Sequence, residues 1–224
     1  MTTFVIAHGA WTGAWGWDRV AELLRAAGHR VHVPTLSGLG ERCHLANLPI
    51  NLTTHVDDII NEMVWHDLTD VVLVAHSYGG FVATGVVERA AERIASIVYL
   101  DAFIPEDGQS FEDIMGGPLT GPVVPVPDIG GNEYPTEAER ARVAALATPQ
   151  PSGTFTERLK VTGAYLRVPF KTFILATGWD GFGQVAAPLR DDPAWSVHEL
   201  PCGHDVPLLM PQELAALLER AAPS

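Results

Sequence analysis

The sequence predicts a doubly wound α/β domain built on a parallel sheet. Two observations predict it. Short apolar runs alternate with helix-patterned segments along most of the chain, and such alternation implies right-handed strand–helix–strand crossovers. Most of the runs are continuous Val/Ile/Leu stretches, the mark of strands buried on both faces.

The expected strands are Phe4–Ala7, Arg30–Val33, Val71–Ala75, Ser96–Leu100, Thr172–Ala176 and Ser196–Leu200. Between them, Trp15–Ala27 repeats apolar residues at helical spacing and stops at Gly28, a C-terminal cap. Thr54–Val64 and Phe81–Ala91 read the same way. Pro211 opens a last helix with a Leu214, Leu217, Leu218 stripe, and proline suits a first helical turn. One region breaks the rhythm. Residues 104–169 are rich in proline and glycine, show no strand of the main sheet, and carry helical patterns only at about 136–147 and 154–166. An insertion of that length is expected to be a lid over a site. The whole chain, 1–224, is read as a single domain.

Composition limits what the chain binds. It has 224 residues, 47% of them hydrophobic, which suits one domain with a sizeable core. The formal net charge is −13, from 14 Lys and Arg against 27 Asp and Glu. That excludes a basic face for nucleic acid and disfavours an anionic membrane surface. Cys43 and Cys202 stand far apart in no metal-like spacing, so two reduced thiols are expected. No secretory leader and no apolar run approaching ~18 residues is visible, so a cytoplasmic protein is expected. A homodimer stays open.

The candidate chemistry starts at VVLVAHSYGGF, residues 71–81. A strand runs into a sharp turn and then a helix, and small-x-Ser-x-Gly at that junction is a nucleophile elbow. Ala75 and Gly79 supply the small residues around Ser77, and Gly80 adds room for close packing. The plainer possibility is a serine that caps the following helix.

A serine hydroxyl attacks only when a base takes its proton. Of the two histidines after Ser77, His198 lies inside the last strand, whereas His204 follows it in LPCGHDVP. His204 is therefore the expected base. The acid that orients it has two candidates, both at strand ends. Asp180 follows KTFILAT in TGWDGFG and is the preferred one; Asp101 ends SIVYLD and is its rival. Asp191, Asp192 and Asp205 read as solvated loop charges. Two backbone N–H groups are expected to receive the oxyanion, from Tyr78 after the nucleophile and from Ala10 in the HGAW loop, with Gly9 giving that loop freedom to turn.

With these residues placed, the chain resembles the α/β-hydrolase superfamily. It looks most like the branch of plant methyl esterases of the salicylate-binding type, hydroxynitrile lyases and bacterial pyrethroid-hydrolase-like esterases. The shared segments are FVIAHGAWTGAWGWDRVAELLRAAGHRVHVPTLSGLG, VVLVAHSYGG, YLDAFIPEDG, FILATGWD and ELPCGHD. The resemblance implies a six-stranded parallel sheet lacking the larger fold's first two strands. It carries the triad over to Ser77, Asp180 and His204, and the oxyanion amides to Ala10 and Tyr78. It also implies hydrolysis of small, apolar or aromatic carboxylic esters through an acyl-serine, with no metal and no cofactor. The lyases of this branch carry threonine after the first-loop histidine and lysine after the catalytic one. Here those places hold Gly9 and Asp205, which counts against lyase chemistry. A lactonase, a carbon–carbon bond hydrolase and a non-catalytic binding protein stay open on the same fold. Trp11, Phe103 and Trp179 adjoin catalytic positions and are, with Gly9, the candidate pocket. The Tyr78 hydroxyl either donates to a substrate oxygen or points away.

Overall fold

The computed structural model describes residues 1–128 and 134–222. The chain runs β1 (Thr3–Ala7), α1 (Asp18–Ala26), β2 (Arg30–His32), α2 (Leu52–Trp65), β3 (Val71–His76), α3 (Gly79–Ala90) and β4 (Ile94–Leu100). After the inserted segment, β7 (Phe170–Ala176), α7 (Gly183–Arg190), β8 (Ser196–Leu200), α8 (Val206–Leu209) and α9 (Pro211–Ala221) complete the fold. The main sheet has the order β2-β1-β3-β4-β7-β8, and every pairing in it is parallel.

The central strand runs are largely apolar because both faces are covered. Val5, Leu73, Ile97 and Phe173 face a core closed by α2 and α3. Phe4, Ile6, Val72, Val74, Val98 and Ile174 face the opposite core, closed by α1 and α9. Burying one such side chain fully contributes ~1.5–3 kcal/mol, so a polar residue on either face of β3 would be costly.

The sheet order also locates a crevice. From β1 the chain steps to one side for β2 and then to the other for β3. Loops leaving the carboxyl ends of β1 and β3 therefore part from each other, and ligands of open α/β sheets bind there.

The segment between β4 and β7 contains α4 (Phe111–Met115), β5 (Val123–Val124), α5 (Glu137–Leu146), β6 (Gln150–Pro151) and α6 (Gly153–Thr156). Its residues 129–133 lie outside the described ones. The helix expected near 136–147 is α5. The one expected over 154–166 is not continuous: α6 ends at Thr156, and a single helical turn returns only at Ala164–Arg167. Residues 157–163 leave helical geometry to bond elsewhere. Leu159 N–H donates to the Gln109 carbonyl at 3.0 Å, and Val161 N–H to Asp107 Oδ1 at 2.8 Å. The antiparallel β5–β6 pair was not expected from the sequence. It holds the loop after β1: Trp11 Nε1–H donates to the Val124 carbonyl at 3.3 Å, and Trp11 N–H to Gln150 Oε1 at 3.0 Å.

Candidate active site

Ser77 follows β3 directly and has φ 54°, the left-handed region that lifts its side chain above the sheet edge. The turn is tight enough to demand glycines. A Cβ on Gly79 would lie 2.2 Å from the Ala7 carbonyl oxygen, and one on Gly80 would lie 1.9 Å from that of Phe103. The small residues after the serine thus answer backbone against backbone.

His204 reaches the serine from the loop after β8. Ser77 Oγ–H donates to His204 Nε2 at 2.9 Å. His204 Nδ1–H donates to Asp101 Oδ2 at 2.7 Å. The carboxylate bonded to the histidine is therefore Asp101, and the expected Asp180 is not brought to it. Asp101 has φ 41° and is fully buried, so the end of β4 turns its carboxylate in under the loops, as the end of β3 turns Ser77 out. Its charge is balanced by donors: Ala176 N–H at 3.0 Å, Trp179 Nε1–H at 2.7 Å and the His204 ring. Asp180 lies exposed beyond the end of β7. The chain there is tied to the last-strand loop by Thr177 N–H to the Leu200 carbonyl and Gly178 N–H to that of Cys202. That path sends Asp180 into solvent.

The aromatic candidates divide. Trp11 and Gly9 line a cavity of about 180 Å³ beside Ser77 and His204. Trp179 does not line it. Its ring lies 4.6 Å from the His204 ring while its Nε1–H serves Asp101. Phe103 also lies outside the cavity, in a cluster with Phe111 and Phe182 at 5.1 and 4.7 Å. The Tyr78 hydroxyl points away into the core, where it donates to His55 Nδ1 at 3.0 Å; His55 in turn gives its Nε2–H to the Ser37 carbonyl at 2.8 Å. Burial raises the Tyr78 phenol far above its usual range.

Two oxyanion candidates stand beside the serine. Neither Ala10 N–H nor Tyr78 N–H is taken up by an acceptor among the described residues. The Ala10 loop is braced by His8, whose Nδ1–H donates to the Gly9 carbonyl at 2.8 Å while its Nε2 accepts from Leu36 N–H at 3.0 Å. Gly9 has little room for a side chain, since a Cβ there would lie 3.2 Å from His76 Nδ1 and 3.4 Å from Ser77 Cβ.

Sequence reasoning passed over His76, and read Asp205 as a solvated charge. His76 is buried, lines the cavity, and gives its Nε2–H to the His204 carbonyl at 2.9 Å. Burial, with the His204 ring next in effect, holds His76 down to about 3, so it is neutral. Asp205 also lines the cavity and accepts from the Tyr134 hydroxyl. A signal was present for both: each adjoins a triad residue in sequence. Among the described residues, the three that could hold a metal ion are His32, Glu62 and His66, outside this cavity, where His32 Nδ1–H already donates to Glu62 Oε1 at 2.7 Å.

Ser77, His204 and Asp101 form one hydrogen-bonded chain at the mouth of a small cavity, a geometry compatible with acyl transfer. A carbendazim hydrolyzing esterase from Nocardioides sp. (strain SG-4G) is 40% identical over 239 residues, covering 97% of this chain and 98% of its own. Methylesterase 1 of Arabidopsis thaliana is 34% identical over 109 residues, 48% of this chain and 41% of its own. Among solved structures, an extracellular alpha/beta-hydrolase from a Paenibacillus species is 26% identical with a TM-score of 0.83, over 100% of both chains. Residues 4–217 match the alpha/beta hydrolase family, and with that match spanning nearly its whole length, the chain belongs to the alpha/beta hydrolase family.

Proposed function

We propose that this protein hydrolyses small carboxylic esters through an acyl-serine on Ser77, with His204 as base and Asp101 as the acid that orients it. The observation that carries the reading is the hydrogen-bonded chain from Ser77 Oγ through His204 to Asp101, opening on a cavity. An esterase relative that hydrolyses carbendazim and a methylesterase relative support cleavage of an ester link.

With Nδ1–H given to Asp101, His204 Nε2 carries a lone pair and takes the proton of Ser77 as the hydroxyl attacks the carbonyl. The buried Asp101 carboxylate stabilises the imidazolium that results. The Ala10 and Tyr78 amides receive the charge that develops on the carbonyl oxygen, a contribution of ~10²–10³ in rate for each donor. His204 then protonates the leaving alcohol. Water, deprotonated by the same imidazole, releases the acid from Ser77.

Room for about one benzene ring needs ~150 Å³. The cavity beside Ser77, about 180 Å³, fits one small acyl or aryl group. Residues 104–169 act as the lid, and through Val126 and Val143 they wall this cavity. Among the described residues no helix is long and apolar enough to cross a membrane. A cytoplasmic setting goes with this reading, because neither Cys43 nor Cys202 forms a disulfide.

The test is release of p-nitrophenol from acetate and butyrate esters by the wild type and by Ser77→Ala, with phenylmethylsulfonyl fluoride as a covalent probe. Turnover that vanishes in the variant and under the probe is expected. Turnover equal in both proteins would overturn the reading.

A further inference from the structure

The cavity next to Ser77 has an uneven polar lining. Asp205 presents a carboxylate at its wall, directly after the base in sequence, and Asp128 presents another at its exposed rim. No Lys or Arg side chain lines it among the described residues. Arg140, bonded to Glu137, is close enough to feel the charge of the rim Asp128, and Arg19 and Arg142 line a neighbouring cavity beyond Tyr134 and Val143, each facing a carboxylate there, Glu139 at 3.0 Å and Asp18 at 3.5 Å.

His76 adds an acceptor to this wall. Its Nε2–H is committed to the His204 carbonyl at 2.9 Å, so its Nδ1 holds a lone pair. That nitrogen faces the Gly9 side of the cavity, 3.2 Å from where a Cβ on Gly9 would stand, and nothing among the described residues donates to it. Only 4% of the His76 surface is exposed. Nδ1 opens on the cavity and is not sealed in the core, so a ligand donor there takes the place of water. The hydroxyls nearby are already directed elsewhere: Thr12 donates to the Gly9 carbonyl at 3.0 Å and Tyr134 to Asp205.

We propose that this cavity selects esters carrying an ammonium or other N–H donor close to the scissile carbonyl, read by His76 Nδ1 and the Asp205 carboxylate, and that it rejects esters carrying a carboxylate. The proposal rests on the ester-hydrolase reading of the same site and names its substrate class. The selection is electrostatic as well as geometric. A donor with positive charge gains from Asp205 and satisfies His76. An anionic group meets like charge and finds no guanidinium or ammonium to pair with.

The experiment has a binding arm and a turnover arm. Ser77→Ala is titrated calorimetrically with benzylammonium, benzyl alcohol and benzoate. Benzylammonium is expected to bind ~10–100-fold tighter than benzoate, the scale of a hydrogen bond to a charged group. Adding Asp205→Asn or His76→Gln to that background is expected to remove most of the preference. Gln can place its amide nitrogen near the former ring Nε2, keeping the His204 carbonyl bonded, and moves the acceptor, now Oε1, away from the former Nδ1 position. Benzylammonium that binds no better than benzoate, or not at all, overturns the proposal.

In the turnover arm, the wild type is given the methyl ester of β-alanine, methyl butanoate and monomethyl succinate near neutral pH, with acid release as the readout. The order of kcat/KM is expected to be ammonium, then neutral, then anionic. Hydrolysis of methyl butanoate with no advantage for the ammonium ester overturns the recognition proposal and leaves the ester hydrolase standing. Absence of all turnover, with the benzylammonium preference intact, sinks the ester-hydrolase reading and leaves the recognition site standing.

Discussion

Trp179 and Asp101 meet at 2.7 Å, the indole N–H donating to the same carboxylate oxygen that takes the His204 ring. The bond joins the loop after β7 to the end of β4, and the indole then lies 4.6 Å from the imidazole it helps to position. The acid of the site thus sits under an aromatic cover, with all three of its donors supplied by β7, the loop after it, and the loop after β8.

Asp101 and Asp180 are separated by one pair of substitutions. Asp101→Asn puts an amide where the imidazole N–H needs an acceptor and is expected to cut kcat by about 10⁴. Asp180→Asn changes an exposed loop charge and is expected to leave kcat/KM within about twofold. Ester hydrolysis by the two purified variants decides between them, and the reverse order would return the role to Asp180.

Trp179→Phe keeps a ring over His204 and deletes the N–H bond to Asp101. A lost hydrogen bond of ~1 kcal/mol predicts a drop in kcat of about five- to tenfold. KM should hold, because Trp179 does not line the cavity. Steady-state kinetics that showed KM rising with kcat unchanged would instead place the indole against substrate.

Three buried histidines make the fold sensitive to acid. Burial holds His8 down to about 4, and His55 and His76 to about 3, against 6.5 in the unfolded chain. The unfolded chain therefore binds the extra protons. The contribution of these groups to stability is complete above pH 6.5 and is lost as the pH falls through the window toward 4 and 3. Each adds up to ~1.4 kcal/mol per pH unit to the slope. Urea midpoints measured from about pH 7 down to about pH 5 should fall steadily, and His55→Gln should make the fall shallower. A flat profile would mean that these rings are protonated in the native state.

Gly80→Ala tests the close approach at the elbow. The new Cβ would meet the Phe103 carbonyl oxygen at 1.9 Å, backbone that cannot move aside cheaply. A loss of ~2–3 kcal/mol or more is expected, at the upper end for overpacking. Gly16→Ala is the control, since a Cβ there meets nothing within 4 Å, and its Tm should stay close to that of the wild type.

Much of the site was legible because its signals are local. The run Val71–Ala75 into Ser77, Gly79 and Gly80 encodes strand, turn and close approach within ten residues, and the structure has β3 and α3 there. His204 was legible by elimination, since His198 lies within β8. The helix α7 was missed because Gly181, Gly183 and Pro188 blur its periodicity, although Ala186 still packs into the core. The lid was the least legible part. Its short β5–β6 pair depends on partners far apart in sequence, Val124 and Gln150, and two-residue strands leave no period to read.

The sequence by itself determined the strands of the main sheet and most of the helices between them, the parallel sheet, and the pairing of Ser77 with His204. Each follows from spacing or from residue size within a short window, where neighbours along the chain are also neighbours in space. Only the tertiary structure shows which of Asp101 and Asp180 bonds His204. Both follow adjacent strands of the sheet, so topology brings both near His204. The choice was made by the left-handed turn at Asp101 and by the bonds of Thr177 and Gly178 that carry Asp180 outward. The same holds for the Tyr78 hydroxyl and the His76 ring. A side chain's direction is settled by what packs around it, and for these the neighbours come from α2 and the loop after β8, distant in sequence.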